Sequence, residues 1–380
     1  ERYPQSQHAN RMLFMLGCYH AEVGDLEAAE KVFQSVDYLG LNAREKERYD
    51  IRMGYIRFVQ GDYLTATSRF SKIPQSSEYY GHALYYISYI EYMNGRYDIA
   101  RAGFEQLKNH DSYRSVVPYY LLQIEYRERN YDYVVSEGER LLAVSTKSVR
   151  DDLLRIVAES YFVKGDYVMS LKYINDYPAD KHSRQENYIK GYSLYRLGRY
   201  REAIAPLRTV CGAMDGLTQN ASYHLAECYL NTGDLQSATS AFSMASTDGF
   251  DEEIAENALL NYGRLKFELD GDVFNESINV LKRYLDKYPT SEHCPEVQTL
   301  LIAAYYNSKD YGSAYAAIKA FPNPDKELRM ALQKVAVFRA VDAVEEGNYD
   351  LAQSLLEEAE LIGISPKYKA LAIYWQGEIA

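Results

Sequence analysis

The chain has 380 residues and a formal net charge of −12, and Asp and Glu outnumber Lys and Arg by 54 to 42. Such an acidic chain repels phosphate backbones, and its basic residues are scattered, so the charge disfavours nucleic acid as a partner. No apolar run is long enough to span a bilayer, which predicts that the chain has no transmembrane segment.

Motifs for catalysis or cofactor binding are absent from the sequence. There is no phosphate-binding loop, zinc-protease motif or nucleophile elbow, and no pair of the four cysteines has C-x-x-C spacing. Asp270, Asp272 and Asn275 resemble part of a calcium loop, but their spacing favours an ordinary turn between helices. The sequence therefore predicts neither an enzyme nor a bound cofactor or metal.

One short phrase recurs along the chain: Gly, a polar residue, an aromatic residue or Leu, two further residues, and a small residue. Successive copies are 33 to 38 residues apart, as in the steps from Gly165 to Gly198 and from Gly233 to Gly271. A period of this length is typical of solenoid repeats. The ten copies begin at Gly24, Gly61, Gly95, Arg129, Gly165, Gly198, Gly233, Gly271, Lys309 and Gly347.

The phrase has the chemistry of a turn between two helices. Glycine adopts the left-handed conformation that ends a helix, and the Asp or Asn after it caps the next helix. Apolar residues at helical spacing flank the first copy, from Met12 to Leu16 before it and from Ala28 to Phe33 after it. Each copy therefore predicts a helix, a turn and a second helix, with the small residue inside the second helix.

The pattern resembles the tetratricopeptide repeat, which has Gly or Ala at position 8, Gly-Asp/Asn-Tyr at positions 15 to 17, small residues at 20 and 27, and an aromatic residue at 24. The fourth copy departs most, since Leu122 holds position 8 and Arg129 replaces the turn glycine. Position 8 is matched by Gly17, Gly54, Ala158, Gly191, Ala226, Gly263 and Ala340, and position 24 by Phe33, Phe70, Phe104 and Phe242.

The resemblance implies an all-α fold, a right-handed α-solenoid of about ten helix pairs plus a terminal helix. We expect one continuous superhelix over 1–380. Its repeats are predicted near 9–42, 47–80, 81–114, 115–150, 151–183, 184–218, 219–254, 255–294, 295–332 and 333–366, with a partial repeat at 367–380. Tyr3-Pro4 echoes Tyr288-Pro289, and Tyr374 to Gly377 match a first helix, so we expect a natural protein that is longer on both sides.

In this family the first helix of each pair lines a concave groove through positions 2, 5, 9, 12 and 13. The resemblance implies a groove rich in tyrosine, with interspersed charge. Tyr and Arg are enriched at binding hot spots, because they bury a large area and offer hydrogen bonds. The residues placed there are Tyr55, Phe58, Tyr85, Tyr89, Tyr92, Tyr119, Gln123, Tyr126, Arg127, Arg155, Glu159, Tyr188, Tyr192, Tyr195, Arg196, Tyr223 and Glu227.

A competing interpretation is that some of these tyrosines pack against neighbouring repeats, since a stripe at helical spacing usually belongs to a core. One family function is disfavoured. Members that clamp a C-terminal carboxylate hold Lys at position 5 and Asn at position 9, and no repeat here has both.

Three functions stay open at this point. The leading hypothesis is a non-catalytic scaffold that holds a protein or an extended peptide in the groove. The second is a periplasmic or outer-membrane-associated module for envelope assembly or glycan binding, because the linker Lys287 to Ser291 resembles those of bacterial envelope repeat proteins. The third is the non-catalytic arm of a larger enzyme or regulator. The second hypothesis implies a periplasmic or cell-envelope location, and a cytoplasmic location is the alternative. The sequence does not indicate an oligomeric state.

Overall fold

The computed structural model describes residues 7–247, 249–269, 276–321 and 324–380. Across these ranges the chain forms helices joined by turns and contains no β-strand. It divides into two compact units, Glu1–Tyr177 and Pro178–Ala380. Within each unit, consecutive helices pack against each other as helical hairpins, and each hairpin packs on the next one along the chain. The fold is therefore an all-α solenoid.

Unit 1 contains five helix pairs. We call the first helix of each pair the A helix and the second the B helix. The pairs are α1 (Gln7–Glu22) with α2 (Leu26–Phe33), α3 (Ala43–Val59) with α4 (Tyr63–Phe70), α5 (Tyr80–Met93) with α6 (Tyr97–Leu107), α7 (Val117–Arg127) with α8 (Tyr131–Val144), and α9 (Lys147–Val163) with α10 (Tyr167–Asp176).

Unit 2 begins with a short 3-10 turn at Ala179–Lys181 and continues with helix pairs. These are α11 (Arg184–Arg196) with α12 (Tyr200–Val210), α13 (Gly216–Thr232) with α14 (Leu235–Ala245), α15 (Glu252–Leu269) with α16 (Glu276–Lys287), α17 (Cys294–Asn307) with α18 (Tyr311–Lys319), and α19 (Lys326–Glu345) with α20 (Tyr349–Ile362). The last helix is α21 (Pro366–Ile379).

The predicted turns between A and B helices are confirmed. Gly61 has a φ of 80°, and the Asp62 carboxylate accepts a hydrogen bond from the Thr65 backbone N–H at 3.1 Å. Arg129 and Lys309, which replace the turn glycine, keep the same left-handed backbone with φ of 63° and 60°. The eighth predicted turn, Gly271-Asp272, and the calcium-like residues Asp270 and Asn275 lie outside the described residues.

In the first two hairpins a small A-helix residue receives a large B-helix side chain. A Cβ built on Gly17 would lie 2.7 Å from the Phe33 ring, and one on Gly54 would lie 2.6 Å from the Phe70 ring. The small residue predicted inside the B helix is fully buried in the first three repeats, at Ala29, Ala66 and Ala100, each with 0% exposure. Close helix approach therefore explains positions 8, 20 and 24 of the repeat.

The A helices contact each other within each unit, as α1 does with α3, α3 with α5 and α7 with α9, and in unit 2 α11 with α13. Some begin earlier than the predicted repeat boundaries. Helix α19 begins at Lys326, before the predicted start at 333, because Asp325 caps it by accepting from the Leu328 N–H at 2.8 Å. In the described part of the chain, none of the helices combines the length and apolarity that crossing a membrane requires.

Candidate functional site

The residues predicted to line the groove all lie on A helices. The predicted residues of unit 1, which we call the unit 1 face, are Tyr55 and Phe58 on α3, Tyr85, Tyr89 and Tyr92 on α5, Tyr119, Gln123, Tyr126 and Arg127 on α7, and Arg155 and Glu159 on α9. In unit 2 the corresponding unit 2 face has Tyr188, Tyr192, Tyr195 and Arg196 on α11, and Tyr223 and Glu227 on α13.

Aromatic rings join three A helices of the unit 1 face. The Phe58 and Tyr89 ring centroids are 5.8 Å apart, which links α3 to α5. Tyr89 and Tyr92 both form edge-to-face pairs with Tyr120 on α7, with ring centroids 5.4 and 5.7 Å apart. Edge-to-face pairs of this kind add to the energy of burial. These rings therefore hold neighbouring repeats together as well as forming a surface.

The packing also involves tyrosines that sequence reasoning missed. Tyr120 stacks on Phe104 with centroids 5.2 Å apart and an 8° angle, and Tyr113 stacks on Tyr85 at 4.4 Å. Tyr120 follows Tyr119 directly, so it points from α7 toward the B helix of the preceding repeat. The paired tyrosines at 119 and 120 were the available signal, since adjacent helical residues face different neighbours.

A hydrogen-bonded cluster connects α7 to α9. The Tyr119 hydroxyl donates to Asp152 Oδ2 at 2.6 Å, and the Gln123 amide donates to both the Tyr119 hydroxyl, at 3.0 Å, and Asp152. Arg155 donates to the other oxygen of Asp152 at 2.7 Å. Burial and the bond to Asp152 raise the pKa of Tyr119. Gln123 is only 5% exposed, so it acts inside this cluster.

A second contact recurs in the same register in both units. The Tyr126 hydroxyl at position 12 donates to Glu159 at position 9 of the next repeat, at 2.5 Å. In unit 2, Tyr195 at position 12 lies beside Glu227 at position 9 of its next repeat. Burial, followed by the neighbouring carboxylate, raises the pKa of both tyrosines. Hydrogen bonds to carboxylates are stronger than neutral ones, so the bond between Tyr126 and Glu159 ties α7 to α9.

A histidine that the sequence reasoning did not assign to the site lies at the centre of the unit 2 face. The His224 ring is 4.7 Å from the Tyr192 ring and 4.8 Å from the Tyr195 ring, measured between centroids. Its Nδ1 lies 3.2 Å from a Glu227 oxygen. Arg196 donates to the Tyr192 hydroxyl at 3.1 Å, so this cluster presents aromatic and charged groups together.

Accessibility differs among the predicted residues. Tyr55 is 39% exposed, and Arg127 and Arg196 are exposed at the ends of α7 and α11. The other predicted residues apart from the buried Gln123 are half-buried: Phe58, Tyr85, Tyr89, Tyr92, Tyr119, Tyr126, Arg155, Glu159, Tyr188, Tyr192, Tyr195, Tyr223 and Glu227. The two faces therefore offer half-buried rings and exposed side chains. The hydroxyls of Tyr119 and Tyr126 are bonded to carboxylates of the next repeat.

The clusters of the two faces consist of aromatic rings, amides and charged side chains. Within the described ranges, no three His, Cys, Asp or Glu side chains gather as a possible metal site. Asp152, which lies beside the unit 1 face, accepts hydrogen bonds from Tyr119 and Arg155.

Two family models match parts of unit 2. A tetratricopeptide repeat model matches 188–249. A model of the YfiO family, described as an outer membrane lipoprotein, matches 254–326. No curated protein matches the chain significantly.

Several solved structures are similar to the chain at low identity. A tetratricopeptide repeat protein from Parabacteroides merdae is 13% identical with a TM-score of 0.30, over 77% of this chain and 98% of that one. The Rap protein complexed with competence and sporulation factor is 11% identical with a TM-score of 0.31, over 96% of this chain and 100% of that one. The APC/C hetero-tetramer Cut9-Hcn1 is 14% identical with a TM-score of 0.30, over 96% and 76%.

The segment that matches the tetratricopeptide repeat model has the helical hairpins that such a repeat requires. The matched range 188–249 contains most of two helix pairs, α11 with α12 and α13 with α14, whose turns contain Gly198 and Gly233 with φ of 72° and 82°. The same hairpin, with its left-handed turn, recurs in both units. The segment 188–249 therefore matches the tetratricopeptide repeat, and the other described helix pairs repeat the same kind of hairpin.

Proposed function

We propose that this chain is a non-catalytic scaffold that binds a protein or an extended peptide on the A-helix faces. The tetratricopeptide repeat fold itself indicates a protein-interaction scaffold. The single observation that supports the use of these faces is the gathering of half-buried Tyr and exposed Arg on consecutive A helices. Residues of this kind supply most of the binding energy at protein interfaces.

The two faces can bind because their aromatic surface is already ordered. Tyr89 is held between Phe58 and Tyr120, and Tyr192 is held between Tyr188 and His224. A side chain fixed in this way loses little conformational entropy when a guest covers it. Each unit therefore carries a preformed surface for a guest.

Selection of binders from a random peptide library displayed on phage provides the test. The affinity of the selected peptides is measured by fluorescence anisotropy for the wild type, Tyr89→Ala and Tyr192→Ala. The exposed B-helix residue Tyr349, 55% exposed, supplies the matched control Tyr349→Ala. We expect a loss of more than about 1 kcal/mol for the face that a peptide uses, and no loss for the control.

If both Tyr89→Ala and Tyr192→Ala leave the affinity of every selected peptide unchanged, the peptides bind elsewhere and the assignment of the A-helix faces is refuted. Circular dichroism of each variant checks that the loss of affinity does not come from loss of helix.

A second function, an envelope-assembly or glycan-binding module in the periplasm or at the outer membrane, is favoured by one observation. The outer membrane lipoprotein family model matches 254–326, which includes the linker at Tyr288 and Pro289. Fractionation of cells that express the natural gene tests it. Recovery of the protein with the envelope supports this function, whereas recovery with the cytosol contradicts it.

A further inference from the structure

Two histidines meet where α5 packs against the connection between α6 and α7. His82 lies in the first turn of α5, and His110 lies three residues after the end of α6. Their ring centroids are 6.3 Å apart, and both side chains are half-buried. The His110 ring lies against Gly81 of α5, where an added Cβ would clash with Nε2. A charge on either ring would therefore lie close to the other ring, in a partly desolvated place.

Tyr113 joins this histidine pair to the unit 1 face. Its hydroxyl oxygen is 2.6 Å from His82 Nδ1, and its ring stacks on Tyr85 with centroids 4.4 Å apart and an angle of 12°. Tyr85 belongs to the unit 1 face and lies beside Tyr89, with ring centroids 6.4 Å apart. We call His82, His110 and Tyr113 the His82 cluster. A displacement of Tyr113 reaches the unit 1 face through a single ring.

The hydrogen bonds of the cluster suit uncharged imidazoles. The Ser112 backbone N–H donates to His110 Nδ1 at 3.3 Å, and this nitrogen can accept only while it is unprotonated. An uncharged His82 can accept the proton of the Tyr113 hydroxyl, whereas a charged imidazole carries a proton on both nitrogens and can only donate. Protonation therefore breaks the bond at His110 and removes an acceptor from Tyr113.

The titratable groups that face His82 are His110 and Tyr113, and within the described part of the chain no carboxylate forms an ion pair with it. Charged side chains on the elements around α5 instead pair with one another. These pairs are Arg44 with Glu78, Arg69 with Asp50, Arg101 with Glu125, Lys108 with Glu105 and Arg114 with Asp111.

Burial, followed by the neighbouring His110, lowers the pKa of His82 below its ordinary value of 6.5. The unfolded chain therefore binds this proton more readily than the folded chain does. The contribution of His82 to stability is complete above about pH 6.5 and is lost as the pH falls below that value.

We propose that the His82 cluster is an acid-sensitive switch of the unit 1 face. Protonation of the histidine pair at mildly acidic pH loosens the connection between α6 and α7, releases Tyr113 from Tyr85 and weakens guest binding on the face. This inference rests on the proposed function and adds its regulation by pH. Histidine changes its charge between pH 5 and 8, and protonated histidine clusters move the elements packed around them.

Native-state hydrogen exchange at about pH 7.5 and about pH 5 tests the switch without a guest. We expect protection factors, corrected for the intrinsic exchange rate at each pH, to fall about threefold or more on acidification at the start of α5 and over 108–116. His82→Gln and His110→Gln keep a hydrogen-bonding side chain that cannot be protonated, so each should reduce this fall. His20→Gln is the matched control, because His20 is a half-buried histidine on α1 that lies 3.6 Å from Asp25.

The control variant should lose protection in this region as the wild type does. Equal protection at both pH values in the wild type would overturn the inference, and so would a fall in His82→Gln and His110→Gln as large as that of the wild type. A smaller fall in His20→Gln than in the wild type would also contradict it, because the response would then arise outside the cluster.

Guest affinity at the two pH values tests the regulation. Library peptides that lose affinity with Tyr89→Ala and contain no histidine are used, so that the guest carries no histidine that titrates. Their dissociation constants for the wild type should rise about threefold or more at the lower pH and stay nearly constant for His82→Gln. An unchanged affinity in the wild type would overturn the inference and leave the proposed function standing. If no selected peptide responds to Tyr89→Ala or Tyr192→Ala, the proposed function falls and the regulation of a guest falls with it.

Discussion

Replacing glycine by alanine at position 8 should lower the stability of one helix pair and raise the stability of another helix. Gly54→Ala and Gly377→Ala both add a methyl group at position 8 of an A helix. At Gly54 the new Cβ would lie 2.6 and 2.7 Å from two carbons of Phe70, whereas no neighbouring atom lies within 4 Å at Gly377. The first site is therefore closed by its B helix and the second is open.

The expected change in stability is the balance of two opposing effects. Phe70 is 1% exposed and stacks on Tyr86 at 5.2 Å, so its ring has no free space to move into. Overpacking of such a core costs about 1–3 kcal/mol. Replacing Gly by Ala in a helix contributes about 0.5–1 kcal/mol in the other direction. We expect Gly54→Ala to destabilise its hairpin by about 0.5–2 kcal/mol, and Gly377→Ala to stabilise α21 by up to about 1 kcal/mol.

Native-state hydrogen exchange is the suitable assay, because stability in a repeat array is distributed and one global unfolding energy does not describe it. Opening free energies are read from the amides of α3 and α4 for Gly54→Ala and from those of α21 for Gly377→Ala. The double variant Gly54→Ala with Phe70→Leu should recover part of the lost protection, since the smaller side chain relieves the contact. Equal changes of the same sign at both glycines would refute the argument from packing.

Three further outcomes are expected. Arg129→Gly should stabilise the turn of the fourth repeat by about 1 kcal/mol, because a residue with a side chain is strained at a φ of 63°. Slower amide hydrogen exchange in α7 and α8 would support this prediction, and faster exchange would contradict it. Tyr126→Phe removes the hydroxyl that bonds Glu159 and should cost about 1–2 kcal/mol in protection of α7 and α9, whereas Tyr349→Phe at an exposed ring should cost nothing measurable. Burial and the bond to Asp50 raise the pKa of Tyr38 to about 12 from its ordinary value of 10. The contribution of Tyr38 to stability is therefore complete below pH 10 and is lost as the pH rises through about 12. In denaturant titrations, Tyr38→Phe should remove this part of the alkaline destabilisation, and an unchanged pH profile would contradict the prediction.

Local chemistry was sufficient to predict the hairpins. A glycine that takes a left-handed turn, a carboxylate that caps the next helix and a small residue inside it act over a few residues, as at Gly61, Asp62 and Ala66. The same reasoning held at the fourth repeat, where Asn130 caps α8 although Arg129 stands in the turn. Placing the predicted residues on A helices needed no more than this register.

The partner of each tyrosine was decided only by the tertiary structure. Tyr126 meets Glu159 and Tyr119 meets Asp152 across 33 residues, because the stacking of one hairpin on the next sets which positions of two A helices touch. Periodicity shows that a tyrosine lies on a face, but it does not show whether the hydroxyl reaches solvent or a carboxylate of the next repeat. That choice depends on helix spacing and rotation, which arise from packing the whole array and not from any single repeat.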